Sequence, residues 1–234
     1  MPEKTSAPNG STQDDGAVVR ADADRAESLP LHSRTPLCWA RDVLEHPVAL
    51  LADHAFLEKK AALNALQLLE RWPQEWVPGW VETMTGVARD EAAHLAQVTR
   101  LLLRRGGRLG RTHKNPYANA LRDLVRKGEV IPEAVDRLFV SALIEARSCE
   151  RFSLLANAAQ DPELAALYKA LFSSEFGHYK VFLRLAHKIE RRNRAESRWQ
   201  EMLAAEAAIL AAQEPGPRIH SGVRGQNPIA ILSE

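Results

Sequence analysis

Apolar residues recur every three or four positions along most of the chain, and no alternating run is long enough to mark a strand. A short amphipathic segment near 37–45 ends at His46-Pro47. A long helix follows from about Pro47 to Arg71, with Leu51, Ala55, Ala62, Ala65 and Leu69 on one face. The stretch WPQEWVPGW (72–80) stops it through Pro73, Pro78 and Gly79. A second long helix covers about 81–104 and ends at Gly106-Gly107, because glycine accepts the left-handed turn that closes a helix. Residues 106–132 form a long connection with one short helix at 117–127. Pro132 opens a third helix, to about Gln160. Asp161 can cap and Pro162 can start a fourth, to about Arg192. An alanine-rich fifth helix lies near 195–213, and Pro215, Gly216, Pro217, Gly222, Gly225 and Pro228 make the remainder irregular. Two helical hairpins joined by a long crossover predict an all-α, ferritin-like four-helix bundle with an additional C-terminal helix. The expected organisation is a disordered tail over 1–34, a helical domain over 35–213 and an irregular tail over 214–234.

The core-facing stripes are broken at matching depths. In VARDEAAHLAQV (87–98), Glu91 and His94 share the stripe of Met84, Val87, Leu95, Val98 and Leu102. SSEFGHYKVF (173–182) repeats Glu-x-x-His as Glu175 and His178, among Leu164, Leu167, Leu171, Phe182 and Leu185. Glu58 interrupts the first long helix. Glu145 interrupts the third, among Leu138, Ala142, Cys149, Phe152 and Ala156. Glu150 is a rival to Glu145, but it lies nearer the turn and off the stripe. Glu58 and Glu91 each stand roughly 15 to 17 residues from their hairpin turn, about 25 Å at the helical rise, so they meet across it. Glu145 and Glu175 flank the turn at Gln160-Asp161 in the same way.

A buried carboxylate without a partner costs several kcal/mol, and four in one layer would also repel one another. Two divalent cations cancel that charge, with the imidazoles completing the shell. One Glu from each of two helices and a Glu-x-x-His from each of the other two is the di-iron or di-manganese carboxylate pattern. Carboxylate oxygens with a minority of imidazole suit Fe or Mn, and spacing does not separate the two. The bland alternative is solvated glutamates on misphased helices. Agreement of six residues in type, phase and depth weighs against it. Three neighbours have open roles. Asp90 either orients a ligand His from behind or is an exposed charge. His54, one turn before Glu58, either supports that ligand or is a core-edge histidine. Cys149 either lines the oxygen-binding side or is a small buried hydrophobe.

Composition narrows the setting. The 234 residues carry a net charge of +1, so bulk electrostatics names no partner. No apolar run approaches a membrane span, no basic-then-apolar leader opens the chain, and Cys38 and Cys149 suggest no disulfide scaffold. A cytoplasmic protein is expected. Charge is uneven, however. Residues 104–127 hold eight Lys or Arg against one Asp, and 184–198 hold six against two Glu. If the helices ending in these runs finish at one pole, they form a basic surface for a phosphate backbone, with Arg104, Arg105, Arg108, Arg111 and Lys114 as contacts. The alternative is that these cations complement helix C-termini.

The segments LADHAFLEKKAALNAL, ARDEAAHL, LIEARSCERF and SSEFGHY, with RIHSGV near the end, resemble the non-haem di-iron tRNA hydroxylases from about residue 35 onward. That family acts on 2-methylthio-N6-isopentenyladenosine beside the anticodon. The resemblance implies two Fe ions held by Glu58, Glu91, His94, Glu145, Glu175 and His178. It also implies O2 as co-substrate, an external reductase and a tRNA substrate whose isopentenyl group is hydroxylated. The competing readings are a ferritin- or rubrerythrin-like ferroxidase or peroxidase, and a catalytically silent RNA-binding bundle. No oligomeric state follows from the pattern, and a monomer is compatible with it.

Overall fold

The computed structural model describes residues 24–225. Among them are seven named helices, and the only β-pairing is an isolated bridge between Pro215 and Gly222. The helices are α1 (Leu37–Leu44), α2 (Pro47–Arg71), α3 (Trp80–Arg104), α4 (Pro116–Asp123), α5 (Val130–Ala158), α6 (Pro162–Ile189) and α7 (Arg192–Ala211). The expected elements are all present, with ends moved by a few residues. The third long helix starts at Val130 rather than Pro132. Proline fits anywhere in a first turn, where its missing N–H has no helical partner to lose.

Helices α2 and α3 pack as one hairpin and α5 and α6 as another. Their ends show how the hairpins face each other. Arg71, at the end of α2, reaches Glu133 at the start of α5 at 2.6 Å. Arg105, just past α3, reaches Asp161 at the start of α6 at 2.7 Å. The chain therefore leaves α3 at one pole and returns along the bundle through α4 to start α5 at the other. This is the long crossover that the 106–132 stretch predicted. Gly106, at φ 76°, makes the left-handed closing turn of α3. In the first hairpin turn, the Glu75 carboxylate accepts the Gly79, Trp80 and Val81 N–H groups, and Trp72, Trp76 and Trp80 plug the pole. Asp161 caps α6 by accepting the Glu163 and Leu164 N–H groups.

Leu50, Leu51, Met84, Leu102, Leu138, Phe152, Leu171 and Phe182 fill the bundle interior. Helix α7 lies outside the four and buries Trp199, Met202 and Leu203, with Phe139 and Trp199 rings 5.1 Å apart. Both presumptive tails pack where they are described. Leu29 and Leu31 are buried, and the Arg34 guanidinium donates to the carbonyls of Ala26, Glu27 and Leu29. The reason is that both leucines join the hydrophobic core, which the polar composition of the segment masks. The rest of the expected N-terminal tail, residues 1–23, lies outside the described residues. Residues 214–225 are irregular but docked. The Ile219 N–H donates to Asp53 at 2.8 Å, and the Trp39 indole donates to Ser221 at 3.0 Å. A Cβ on Gly222 would collide with the Gln213 carbonyl, so this return needs glycine. Residues 226–234, including Pro228, lie outside the described part.

Candidate metal centre

The six interrupting residues converge at mid-bundle, one carboxylate per helix. Glu58 comes from α2, Glu91 and His94 from α3, Glu145 from α5, and Glu175 and His178 from α6, and all six side chains are buried. Both imidazoles aim Nδ1 inward. His94 Nδ1 stands 2.9 Å from Glu175 Oε1, 3.5 Å from Glu91 Oε2 and 3.6 Å from Glu58 Oε2. His178 Nδ1 stands 2.7 Å from Glu91 Oε1 and 3.1 Å from Glu175 Oε2. Glu91 and Glu175 each divide their two oxygens between the two rings. Glu58 belongs to the His94 side. The Glu145 carboxyl abuts Glu175 and closes the layer.

Several of these atoms lack hydrogen-bond partners. Both oxygens of Glu91, Nδ1 of His94 and Oε1 of Glu175 are buried without a properly directed donor or acceptor, although oppositely charged atoms stand close. The groups point at shared space rather than at one another. Ligand atoms of Glu58, Glu91, His94 and Glu175 all fall within 4.8 Å of one another. Buried, convergent, mostly carboxylate donors with unfilled valence fit a pair of hard divalent cations.

The electrostatics agree. Burial, then the neighbouring Glu175 charge, pushes the Glu91 carboxyl up to about 8. Burial, Glu175 and Glu91 push Glu145 well above the carboxylate range. Burial acts the same way on Glu58, but the charge and hydrogen bond of His54 overcome it and hold that carboxyl low. Burial opposes protonation of the imidazoles, yet the surrounding carboxylates raise His94 to about 12 and His178 to about 10. Without cations, the layer balances its charge by holding protons.

Comparison with known proteins bears on what such a layer serves. Residues 26–221 match the family model described as tRNA-(MS2IO6A)-hydroxylase (MiaE). The chain belongs to this family. A Pseudomonas putida protein named tRNA 2-(methylsulfanyl)-N(6)-isopentenyladenosine(37) hydroxylase is 38% identical over 189 residues, covering 81% of this chain and 90% of its own. A Salmonella typhimurium protein of the same name is 28% identical, covering 82% and 88%. Among solved structures, a Synechococcus protein with aldehyde deformylating oxygenase activity superposes with a TM-score of 0.77 at 35% identity, covering 82% of this chain and 96% of its own. The ferritin-like architecture read from the helical pattern is thus the observed fold.

In this MiaE-family chain the neighbours of the layer resolve individually. His54 is fully buried, with Nε2 2.5 Å from Glu58 Oε1 and its ring stacked on Tyr168. It supports a carboxylate rather than sitting at the core edge. Asp90 Oδ2 is 3.6 Å from His178 Nε2 and also pairs with Arg89, so it stands behind the ring at the solvent boundary. Cys149 is buried against the Phe172 carbonyl, and burial with the charges of Glu175 and Glu145 pushes its thiol up. Glu150 faces away from the layer and accepts from Thr35 and Arg147.

The basic surface is arranged differently from expectation. Helices α3 and α6 run antiparallel, so the two runs begin at opposite poles, but the crossover carries the first back until its far end, at Arg126, meets Arg198 of the second, both on Asp136. Arg104 and Arg105 are tied to Glu163 and Asp161 and serve to close the second pole. Arg108, Arg111 and Lys114 are exposed on the crossover near that pole. A different region reaches the layer. A cleft open to solvent lies between α2, α4 and α5 and has Glu145 in its lining. Its polar residues Lys60, Asn64, Arg122, Arg137 and Ser141 were not among the sequence candidates. The only signal was that Asn64 interrupts an otherwise apolar stretch one and a half turns after Glu58.

Proposed function

We propose that this chain hydroxylates the isopentenyl group of 2-methylthio-N6-isopentenyladenosine in tRNA, as a non-haem di-iron monooxygenase. The observation that carries the reading is the division of Glu91 and Glu175 between His94 and His178, in a chain of the MiaE family. A site built to share two carboxylates between two imidazoles suits two metal ions. Glu58, Glu91 and His94 would hold one, and Glu145, Glu175 and His178 the other. The iron pair supplies the reduction of O2 that attacks an unactivated carbon.

The net reaction converts a C–H bond, O2, two electrons and two protons into C–OH and water. The electrons come from a separate reductase. The protein's own residues hold and shield the site. His54 fixes one oxygen of Glu58 and leaves the other facing His94. Phe152 and Tyr168 pack on His54 and keep that side dry, where unwanted side reactions of O2 are suppressed. Asp90 restrains the outer nitrogen of His178. One copy supplies all six side chains, so a monomer suffices. No described helix is long and apolar enough to cross a membrane, and a cytoplasmic enzyme meeting tRNA is the setting proposed.

Nucleoside mass spectrometry of tRNA from a strain lacking this chain tests the reading. The hydroxylated nucleoside should vanish and its unhydroxylated precursor accumulate. An unchanged nucleoside profile would overturn it.

A further inference from the structure

We propose that the cleft between α2, α4 and α5 admits the prenylated adenosine, swung out of its RNA loop, with Asn64 reading the base and Lys60 and Arg122 holding the flanking phosphates. This rests on the tRNA hydroxylase reading above.

The position of the cleft is the first argument. It opens to solvent and reaches Glu145, a member of the proposed metal layer. The clefts described at the second pole, against α1 and beside α7 touch none of the six residues. The chemistry of the wall is the second. Leu57, Ala61, Val140 and Ile144 supply apolar surface for a branched hydrocarbon, which needs no hydrogen bonds. Asn64 donates to Ser141 Oγ at 2.9 Å, and Ser141 in turn donates to the Arg137 carbonyl. That fixes the amide while leaving its oxygen and one N–H for a base edge, which presents both an acceptor and a donor.

Charge is the third argument. Lys60, Arg122 and Arg137 line one cleft. Arg137 is bound to Glu133, which Arg71 also engages. Lys60 and Arg122 have no carboxylate partner among the described residues. Burial and the Arg137 charge both hold the Arg122 guanidinium below its usual range, the mark of a cation lacking its anion. Two unbalanced cations around an apolar passage match a ligand with a neutral hydrocarbon tip and an anionic body. A nucleotide within a phosphate backbone has that shape of charge.

The test uses full-length, iron-loaded protein and tRNA carrying the methylthio-isopentenyl nucleoside. Ala61→Trp, at a half-buried position lining the cleft, fills the passage. We expect at least a tenfold loss of kcat/KM with iron content retained. Lys60→Ala combined with Arg122→Ala changes no buried apolar contact. It should weaken tRNA binding and lower the log–log salt slope by about 1.4, roughly 0.7 for each single-strand phosphate contact. Wild-type turnover with undiminished activity in iron-loaded Ala61→Trp overturns the passage alone. So does an unchanged salt slope in the double variant. Protection of Lys60 from acetylation by decanoate and not by tRNA assigns the cleft to a lipid and also overturns it. Iron-loaded wild type that leaves the tRNA unmodified, with a competent reductant present, removes the hydroxylase reading itself.

Discussion

Helix α5 carries two buried charged clusters on opposite faces, and they are built on different terms. On one face, Arg147 makes a two-pronged pair with Glu206 at 2.9 Å and a third bond to Glu150 at 2.5 Å. Tyr117 donates to Glu206, and Thr35 donates twice to Glu150. Arg151 is close enough for both carboxylates to act on it, so two cations face two anions. On the other face, Glu145 joins three more carboxylates and two imidazoles, and several of those atoms have no hydrogen-bond partner. The first cluster ties α5 to α7 and the N-terminal segment. The second ties nothing by itself and leaves directed lone pairs around a shared centre. Burial of charge is common to both; charge balance separates them, since the first matches two guanidiniums to two carboxylates, although Arg151 Nε and Nη2 have no hydrogen-bond partner, while the second gathers four carboxylates around two imidazoles.

The sharpest way to break this contrast is to remove one carboxylate from each face. Glu145→Ala should lose bound metal and all detectable hydroxylation while the bundle stays folded. Glu150→Ala should keep two metal ions per chain but destabilise the fold by about 3 kcal/mol, because a buried cation loses a partner. Metal analysis and denaturant melts on the two variants decide the matter. Retained iron in Glu145→Ala would show that the two faces had been assigned the wrong way round.

The metal layer and a third charged group on α5, Asp136 with Arg126 and Arg198, predict opposite pH responses in metal-free protein. Glu91 is raised to about 8 from 4.5, so its contribution to stability is present below about 4.5 and is lost as pH rises through 8. His94 and His178, raised to about 12 and about 10, stabilise fully below 6.5 and cease to do so as pH climbs through those values. Asp136 behaves oppositely. Burial pushes it up, but Arg126 and Arg198 overcome that and hold it low. Its stabilisation is present above its unfolded value and disappears as pH falls through the folded one. Chelated wild type should therefore weaken between pH 5 and 8, and Glu91→Gln should flatten that slope. An equal slope in both proteins would place the titration elsewhere.

Smaller effects refine the picture. His54→Leu removes the support of Glu58 and should lower metal affinity roughly 10- to 100-fold, read by competition with a chelator, without reaching the loss seen in Glu145→Ala. Arg104→Ala breaks only an exposed pair with Glu163 and should change stability by about 0–1 kcal/mol. A larger loss would mean that the pole closure matters more than its exposure implies.

Periodicity made the bundle readable, because each long helix buries one stripe and each turn is marked by proline, glycine or a capping aspartate. The six core-facing polar residues were readable for the same reason: a Glu at a Leu position contradicts its stripe. The choice of Glu145 over Glu150 followed from phase, since the second faces Thr35 and Arg147. What the pattern does not carry is which parts of the two basic runs meet: Arg104 and Arg105 stay with Glu163 and Asp161 at one pole, while Arg126 joins Arg198 on Asp136 at the other. Nor does a stripe reveal who stands across a cleft. Lys60, Arg122 and Arg137 come from three elements and meet only when α4 is laid between α2 and α5.

The twin sharing of Glu91 and Glu175 has a further consequence for how the centre fills. On the proposed assignment, Glu91 and Glu175, each facing both imidazoles, would settle once for both halves of the centre, so filling one half would prepare the other. Such a protein should take up its iron in couples, with sigmoidal titration and little of the singly occupied form.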